Sequence, residues 1–216
     1  METMLAPVRL ARTGEGAQVS DLARLALHGA EPRSNGRSLE SAVEEYGGRF
    51  RLPHGQAAVL VVDGPGGQLS GLTYFGSPVR LIQEYAELGA KGQRILADRL
   101  VEVELLAVQP ESQNRGLGTA LLAAGERLVA AWGARITLAK VRSGDLAVMK
   151  WYRRRGYTIA GRGESIILSA AGTNISFDDG GDGYQLAIKD LTGTGGFHRQ
   201  RTRLGTHLFY GPTART

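Results

Sequence analysis

Residues 100–132 constrain the fold of this chain more than any other stretch. Leu100–Val108 is rich in branched apolar residues, which is typical of a buried strand. A proline ends this segment, and a polar turn that contains Gly116 and Gly118 follows it. Apolar residues then recur at helical spacing until Gly133, which predicts a helix with a glycine cap. The chain is therefore expected to place a glycine turn between a buried strand and a helix.

The two glycines predict an anion-binding turn. The first amides of a helix have no intrahelical partners, and the helix dipole makes that end positive. Because Gly116 and Gly118 have no Cβ, a pyrophosphate can approach the main chain closely, and Arg115 and the Thr119 hydroxyl can add contacts. No Gly-Lys-Ser/Thr follows, which excludes a Walker A loop, and the dinucleotide fingerprint fits poorly. A tight strand-to-helix turn without a ligand is the alternative.

The residues around this turn resemble a known family. Gln113-x-x-Gly116-x-Gly118 is similar to the Gln/Arg-x-x-Gly-x-Gly/Ala signature of the GCN5-related N-acetyltransferases, the GNAT superfamily. The preceding Leu106-Ala107-Val108-x-Pro110 resembles the strand that leads into that signature.

A second match lies at residues 145–157. There a tyrosine, Tyr152, is followed by a short basic stretch and Gly-Tyr, which resembles the late helix of the family. Asp145 stands where many members have Asn, so this position departs from the family pattern. The resemblance is specific over residues 100–157 and weaker over the wider range 8–191.

The resemblance implies an α/β fold with a mixed, largely antiparallel sheet, a splayed central parallel strand pair and helices on both faces. The residues themselves predict a strand–helix–strand unit over Leu100–Val141, and hence a parallel pair. The resemblance also implies acetyl-CoA as cosubstrate and no metal. The implied cofactor-binding residues are Ala107, Val108, Gln113, Asn114, Arg115, Gly116, Leu117, Gly118, Thr119 and Asp145.

Acetyl transfer to an amine needs a base, a stabilised oxyanion and a proton for the departing thiolate. Glu102 lies at the distance before the glycine turn where histone-type members of the family have their general base. Glu104 shares its strand face by alternation, so the sequence leaves both acids open. The alternative for Glu102 and Glu104 is that they lie on a solvated stretch of the sheet or bind a positively charged substrate. A backbone N–H near Val108 would polarise the carbonyl if the strand bulges or splays there.

Tyr152 is the predicted acid that protonates the thiolate, on the strength of its family position. A tyrosine has an ordinary pKa of about 10 and can therefore give up a proton in this way. The alternative is a core aromatic residue on a helix with Val148 and Trp151.

The remaining elements are predicted from periodicity and turn residues. Thr13 or Ser20 is expected to cap the first helix. The predicted strands are 8–12, 57–63, 68–75, 134–141, 158–160, 164–169 and 184–191, and the predicted helices are 14–28, 39–46 and 79–90. Glu31–Gly36 is a turn-rich break, residues 89–99 are a polar linker, and Thr173–Gly183, with three aspartates, is a mobile hairpin tip. The inserted segment 76–99 is either a lid over the acceptor site or a surface excursion.

Composition sets the outer bounds. With 216 residues and 42% hydrophobic content, the chain can bury one sizeable core, which we place in an acyltransferase domain over residues 1–191. The chain has no cysteine, which excludes disulfides and thiolate sites and fits a cytoplasmic protein. The N-terminal residues lack a signal-peptide pattern, and no segment approaches the roughly 20 apolar residues of a membrane span.

Residues 192–216 form a predicted basic extension. They carry four arginines and no acid, and so account for most of the formal charge of +5. Arg199, Arg201 and Arg203 alternate, which favours a strand that presents all three on one side. Apolar residues nearby favour docking on the domain or on a second subunit, while contact with RNA and disorder are the alternatives.

Two classes of function follow from the resemblance. The first is an acetyl-CoA-dependent N-acyltransferase, an enzyme that acts on a primary amine of a small molecule or a protein. The second is a non-catalytic module that binds or senses acyl-CoA. Retention of Tyr152 beside an intact glycine turn favours the enzyme. No motif selects the acceptor or the acyl chain, no membrane partner is expected, and a homodimer stays open because dimers are common in the family.

Overall fold

The computed structural model describes residues 7–27, 33–34, 37–170 and 172–212. The expectations for the N-terminal residues before Pro7, for His28, for most of the Glu31–Gly36 break and for Arg215 lie outside these ranges. Within them, no helix is long and apolar enough to cross a bilayer.

The elements are numbered in chain order. The helices are α1 (Gly16–Ala26), α2 (Leu39–Tyr46), α3 (Val79–Glu84), α4 (Gly89–Arg99), α5 (Leu117–Ala131) and α6 (Leu146–Arg153). The strands are β1 (Val8–Leu10), β2 (Arg33–Ser34), β3 (Arg37–Ser38), β4 (Arg49–Leu52), β5 (Gly55–Asp63), β6 (Leu69–Gly76), β7 (Leu100–Val108), β8 (Ile136–Arg142), β9 (Thr158–Ile159), β10 (Ile166–Ala170), β11 (Thr173–Phe177), β12 (Tyr184–Asp190), β13 (Gly195–Thr202) and β14 (Gly205–Pro212).

The chain divides into two compact units, and each is described by itself. Unit 1 comprises Met1–Val79 and Val103–Trp132, and unit 2 comprises Arg80–Glu102 and Gly133–Thr216. Strand β7 contributes its first three residues to unit 2 and the rest to unit 1.

In unit 1, the strands follow the order β1, β5, β6, β7, and β4 also pairs with β5. The pairs that β5 makes with β1, β4 and β6 are antiparallel. One face of these strands packs against α1 and α2, and this core contains Val19, Leu22, Leu39, Val43, Val59, Val61, Leu72, Leu105 and Ala107. Helix α5 packs on β5 and β6. Helix α5 lies on the face of the sheet opposite to α1 and α2. Its neighbours on β6 are Gly71 and Phe75, which alternate along the strand with Leu72 and Tyr74 of the core on the other face.

Two glycines let α5 approach this sheet. A Cβ on Gly125 of α5 would lie only 1.9 Å from Cε2 of Phe75, so the phenylalanine ring occupies the space that a side chain would need. A Cβ on Gly71 of β6 would lie 3.0 Å from Cδ1 of Leu121 and 3.1 Å from the carbonyl oxygen of Ala107. Each glycine therefore lets a side chain of the opposite element pack directly against its backbone, Phe75 against Gly125 and Leu121 against Gly71.

In unit 2, the start of β7 is followed across the sheet by β8, β12 and β9. The Arg135 N–H donates to the Arg99 carbonyl at 2.9 Å, which joins the starts of β7 and β8, and the two strands run parallel. Strand β12 is antiparallel to β8 and to β9. The mixed α/β fold with a mostly antiparallel sheet, a parallel pair and helices is confirmed. The splay of the parallel pair stays a prediction.

A second sheet in unit 2 follows the order β11, β10, β14, β13. The pair β10–β14 is parallel, and the other two pairs are antiparallel. This sheet shares a core with α3, α4, β8 and β12, whose buried residues include Ile82, Leu96, Ile136, Leu138, Ile166, Leu168, Ile175, Leu186, Ile188 and Leu208. The sequence did not predict it, because nothing in the pattern assigns the predicted strands 158–160 and 164–169 to different sheets. In the structure β9 and β10 belong to different sheets.

Three local predictions were wrong. Residues 89–99 are helix α4 and not a polar linker, because Leu96 and Ala97 bury one narrow side of an otherwise polar helix. Helix α1 begins at Gly16, so neither Thr13 nor Ser20 caps it. Thr173–Phe177, expected in a hairpin tip, is strand β11, whose alternate residues Ile175 and Phe177 are buried.

The inserted segment is fastened to the second sheet. The Tyr85 hydroxyl accepts a hydrogen bond from the Ser176 N–H at 2.8 Å and donates to the carbonyl of the same residue. Ile82 and Leu96 of α3 and α4 are fully buried in the core of unit 2. This packing is the one expected if the inserted segment is a surface excursion with one apolar face on the core. A lid function of the segment stays a prediction.

The C-terminal tail forms a hairpin within unit 2. The strand predicted from the alternating arginines is present as β13, but Arg203 lies in the turn, so the three arginines do not share one strand. Leu208 of β14 is buried opposite Ile166 of β10, and the Phe197 and Tyr210 rings lie 5.1 Å apart. Contact of the tail with RNA or with a second subunit stays a prediction, as does the boundary between a 1–191 domain and a 192–216 extension.

Two polar contacts also hold this hairpin. The Arg199 guanidinium donates two hydrogen bonds of 2.9 Å to the buried Glu164 carboxylate and one of 2.8 Å to the Ile159 carbonyl. The Tyr210 hydroxyl donates to Asp190 at 3.2 Å. Burial raises the pKa of Asp190, but hydrogen bonds from Gly195, Thr192 and Tyr210 outweigh it and hold the pKa below its ordinary value.

Replacing Arg199 should destabilise unit 2. Arg199→Gln leaves the buried Glu164 carboxylate without its charged donor, and we expect a loss of roughly 1–3 kcal/mol in the free energy of unfolding. Arg201→Gln, an exposed arginine on the same strand, is the matched control and should change it by less than about 0.5 kcal/mol. Urea unfolding of both variants measures the difference, and equal midpoints would contradict the role given to the Arg199–Glu164 pair.

Candidate active site

The turn between β7 and α5 is held to the sheet of unit 1 by hydrogen bonds. The Gln109 N–H donates to the Ser70 carbonyl at 2.9 Å, and the hydroxyls of Ser112 and Ser70 lie 3.5 Å apart. The Gln113 side-chain amide donates back to the Val108 carbonyl at 3.2 Å. A short 3₁₀ turn over Pro110–Ser112 connects these contacts. The turn is therefore tied both to β6 and to the end of β7.

The backbone of this turn has the left-handed conformations that a sharp approach to a helix requires. Asn114 has a φ of 59° and Gly116 a φ of 83°. Gly116 is the residue just before α5, and its carbonyl accepts from the Ala120 N–H at 3.0 Å. Gly116 is a position where the absence of Cβ matters, because L side chains rarely adopt this conformation.

The start of α5 is suited to bind an anion. Leu117 is buried and anchors the first turn, whereas Gln113, Asn114, Arg115 and Gly116 are exposed. Helix geometry leaves the first amides, such as those of Leu117 and Gly118, without intrahelical partners. The predicted phosphate-binding residues are therefore grouped on one exposed turn of unit 1, with the positive end of a 15-residue helix behind them.

Strand β7 alternates as the sequence predicts. Leu105 and Ala107 are buried in the core with α1 and α2, while Leu106 and Val108 are half-buried on the other face. Glu104 is exposed and Glu102 is half-buried, so both acids lie on the less buried face. The alternation is confirmed, and it does not select one of the two acids as a base.

Helix α6 of unit 2 carries the other predicted residues at its two ends. The Asp145 carboxylate accepts a hydrogen bond from the Val148 N–H at 3.0 Å and so caps the helix. Its family role as a cofactor contact stays a prediction. Tyr152 is only 7% exposed, and its ring makes edge-to-face contacts with Trp151 and Tyr157, each with centroids 4.9 Å apart. The Tyr152 ring is thus fixed by aromatic neighbours on both sides.

Two contacts of the site were not found from the sequence. The Gln113 side chain closes the turn onto Val108, and Arg155 packs its guanidinium over the Trp151 ring at 3.7 Å. The second contact has no helical sequence signal, because α6 ends at Arg153 and Arg155 lies in the turn that follows it. In the part of the chain that the structure describes, no three histidine, aspartate or glutamate side chains are grouped so that they could hold a metal ion.

These features define an α/β protein with a glycine turn between a buried strand and a helix. Residues 37–157, more than half of the chain, match the model of the acetyltransferase (GNAT) family. The chain therefore belongs to this family, as the sequence motifs indicated, and membership supports acyl transfer in general. A search of curated proteins gave no match.

Solved structures agree on the fold. N-acetylglutamate synthase from Neisseria gonorrhoeae, complexed with coenzyme A and N-acetyl-glutamate, has a TM-score of 0.54 and 18% identity over 88% of this chain, which spans only 36% of that protein. A GNAT-family acetyltransferase from Streptococcus pneumoniae has a TM-score of 0.54 and 16% identity, covering 85% of this chain and 98% of its own. The protein yncA from Salmonella typhimurium, with its cofactor acetyl-CoA, has a TM-score of 0.50 and 19% identity, covering 84% of this chain and 90% of its own.

Proposed function

We propose that this protein is an N-acetyltransferase that transfers the acetyl group of acetyl-CoA directly to a primary amine. The observation that carries the proposal is the turn 113–119, which places the start of α5 and two glycines directly after β7, with Gln113–Gly116 exposed. Family membership supports the reaction class. The acceptor is proposed to be a small molecule or a protein in the cytoplasm, and its amine is the only part that the reaction requires.

The cofactor assignment rests on the chemistry of this turn. Pyrophosphate oxygens accept hydrogen bonds from main-chain amides, and the dipole of α5 favours their charge. The exposed Arg115 side chain adds a cation beside them. Coenzyme A or acetyl-CoA is present in the Neisseria and Salmonella structures, which supports a CoA-type cosubstrate here. Ala107, Val108 and Asp145 are assigned to contacts with the rest of the cofactor by family position.

The proposed chemistry uses three groups of this chain. The amine nitrogen attacks the thioester carbonyl carbon, and Glu102 takes a proton from that nitrogen, directly or through water. A backbone N–H near Val108 stabilises the oxyanion. The carbon–sulfur bond then breaks with its electron pair on sulfur, and the thiolate takes the proton of Tyr152. Solvent afterwards returns a proton to Tyr152 and removes one from Glu102.

Substitution of Gly118 tests the cofactor assignment. A valine side chain at Gly118 would fill the space that the pyrophosphate needs, so Gly118→Val should weaken CoA binding at least about tenfold, the factor that corresponds to 1.4 kcal/mol. Ala130→Val, at an exposed position of the same helix, is the control and should bind CoA as the parent does. Isothermal titration calorimetry measures the dissociation constant of each variant for CoA. Unchanged affinity in a folded Gly118→Val protein would refute the assignment.

Tyr152→Phe tests the proposed acid. Because the hydroxyl acts mainly in the transition state, kcat should fall while the apparent affinity for acetyl-CoA changes little. Release of free CoA thiol over a broad panel of amines measures turnover. Unaltered kcat would remove Tyr152 from the mechanism. Tight acetyl-CoA binding by the parent protein without turnover on any amine would favour an acyl-CoA-binding module instead.

Replacing each acid of β7 by glutamine tests which of the two is the base. Glu102→Gln removes the proposed base and should flatten or shift the rising limb of the pH–rate profile, because the base must be ionised to act. Glu104→Gln is isosteric and lies on the same strand face, and it should leave that limb in place. The opposite pattern would assign the base to Glu104.

A further inference from the structure

Arg155 lies next to the proposed acid and has no part in the mechanism so far. Its guanidinium carbon is 3.7 Å from the centroid of the Trp151 ring, which is the geometry of a close cation–π contact. Its Nη1 also donates to the Trp151 carbonyl at 2.7 Å. The guanidinium is therefore fixed to Trp151 at two points, and the side chain is half-buried.

The same Trp151 ring touches Tyr152. The two rings meet edge to face at 87°, with centroids 4.9 Å apart, and Tyr157 contacts Tyr152 from another side. The Tyr152 carbonyl accepts from the Arg155 N–H at 2.8 Å and from the Tyr157 N–H at 3.2 Å. Arg155, Trp151, Tyr152 and Tyr157 thus form one continuous packed cluster at the end of α6.

Two cationic side chains belong to this cluster, Arg155 over the Trp151 ring and Lys189 over the Tyr157 ring. Burial and the neighbouring Arg154 lower the pKa of the Arg155 guanidinium, while Tyr152 acts in the opposite direction. Tyr152 raises the pKa of Arg155 because an ionised phenol near the guanidinium favours its charged form. Lys189 lies 5.4 Å from the Tyr157 ring centroid and adds a further cation.

We propose that Arg155 is a positioning residue for Tyr152. The guanidinium holds the Trp151 ring against Tyr152 and stabilises the negative charge that the phenol oxygen carries after it gives its proton to the thiolate. The O–H bond of Tyr152 breaks, its electron pair stays on oxygen, and the proton forms the S–H bond of free CoA. This inference rests on the role that the proposed function gives to Tyr152.

Arg155→Gln removes the charge and the planar cation. Arg153→Gln, at an exposed arginine that is the last residue of α6, is the control with the same change in net charge. With the best amine of the panel as acceptor, Arg155→Gln should lower kcat at least about tenfold and leave KM for acetyl-CoA unchanged. The falling alkaline limb of the pH–rate profile of Arg155→Gln should move to higher pH, because the Tyr152 phenolate is less stable without the cation. Arg155→Lys keeps the charge and should restore part of kcat.

A spectroscopic measurement needs no acceptor. The ultraviolet tyrosinate signal of each protein, minus that of the same protein with Tyr152→Phe, follows the ionisation of Tyr152 alone. Tyr152 should lose its proton at a higher pH in Arg155→Gln than in Arg153→Gln. Arg155→Met, which preserves apolar packing on Trp151 without charge, takes the place of Arg155→Gln if that variant does not fold.

Failure of the role proposed for Arg155 can be distinguished from failure of the role proposed for Tyr152. If Tyr152→Phe does not lower kcat, the proposed acid is wrong and the role of Arg155 falls with it. If Tyr152→Phe lowers kcat but Arg155→Gln matches Arg153→Gln in kcat, in the alkaline limb and in the tyrosinate titration, the inference about Arg155 alone is overturned. A lower melting temperature with unchanged titration would show a purely structural role and would also overturn it.

Discussion

The close approach of α5 to its sheet is the constraint on which the position of the 113–119 turn depends. Gly125 leaves room for the Phe75 ring, and Gly71 leaves room for Leu121 beside the Ala107 carbonyl. A larger residue at either position would lift the helix from the strands. The turn before α5 is fixed at its other side by Gln109 and Gln113. The start of α5 therefore keeps its direction only while the helix–sheet contact is intact.

The sequence predicted unit 1 well because its signals are local. The strand β7, the glycine turn and the helix α5 follow from a hydrophobic run, two glycines and a 3.6-residue period, and each is present. The roles of Glu102 and Glu104 were not separable, because strand alternation puts both on one face. The Gln113 contact with Val108 was missed, since a side chain that bonds to the backbone five residues away has no periodic pattern.

Unit 2 was predicted less well because its signals are long-range. Strand β14 pairs with β10 across some forty residues of chain, and no local pattern announces such a partner. Helix α4 was taken as a linker because Gly89, Lys91, Gly92 and Arg94 dilute its apolar stripe. Its buried Leu96 is explained only by the second sheet that it covers. Local chemistry thus identified the candidate site, while tertiary pairing decided the architecture around the tail.

The bond between Tyr85 and Ser176 has a consequence for association. Strand β11 is at the edge of its sheet, and an edge strand offers its free N–H and C=O groups to any extended chain that meets it. At Ser176 one phenol hydroxyl engages both groups. An incoming strand would have to displace the tyrosine, and with it the anchor of the inserted segment, before it could add to the sheet there. The Tyr85 side chain therefore occupies the backbone groups of β11 that another strand would need at Ser176.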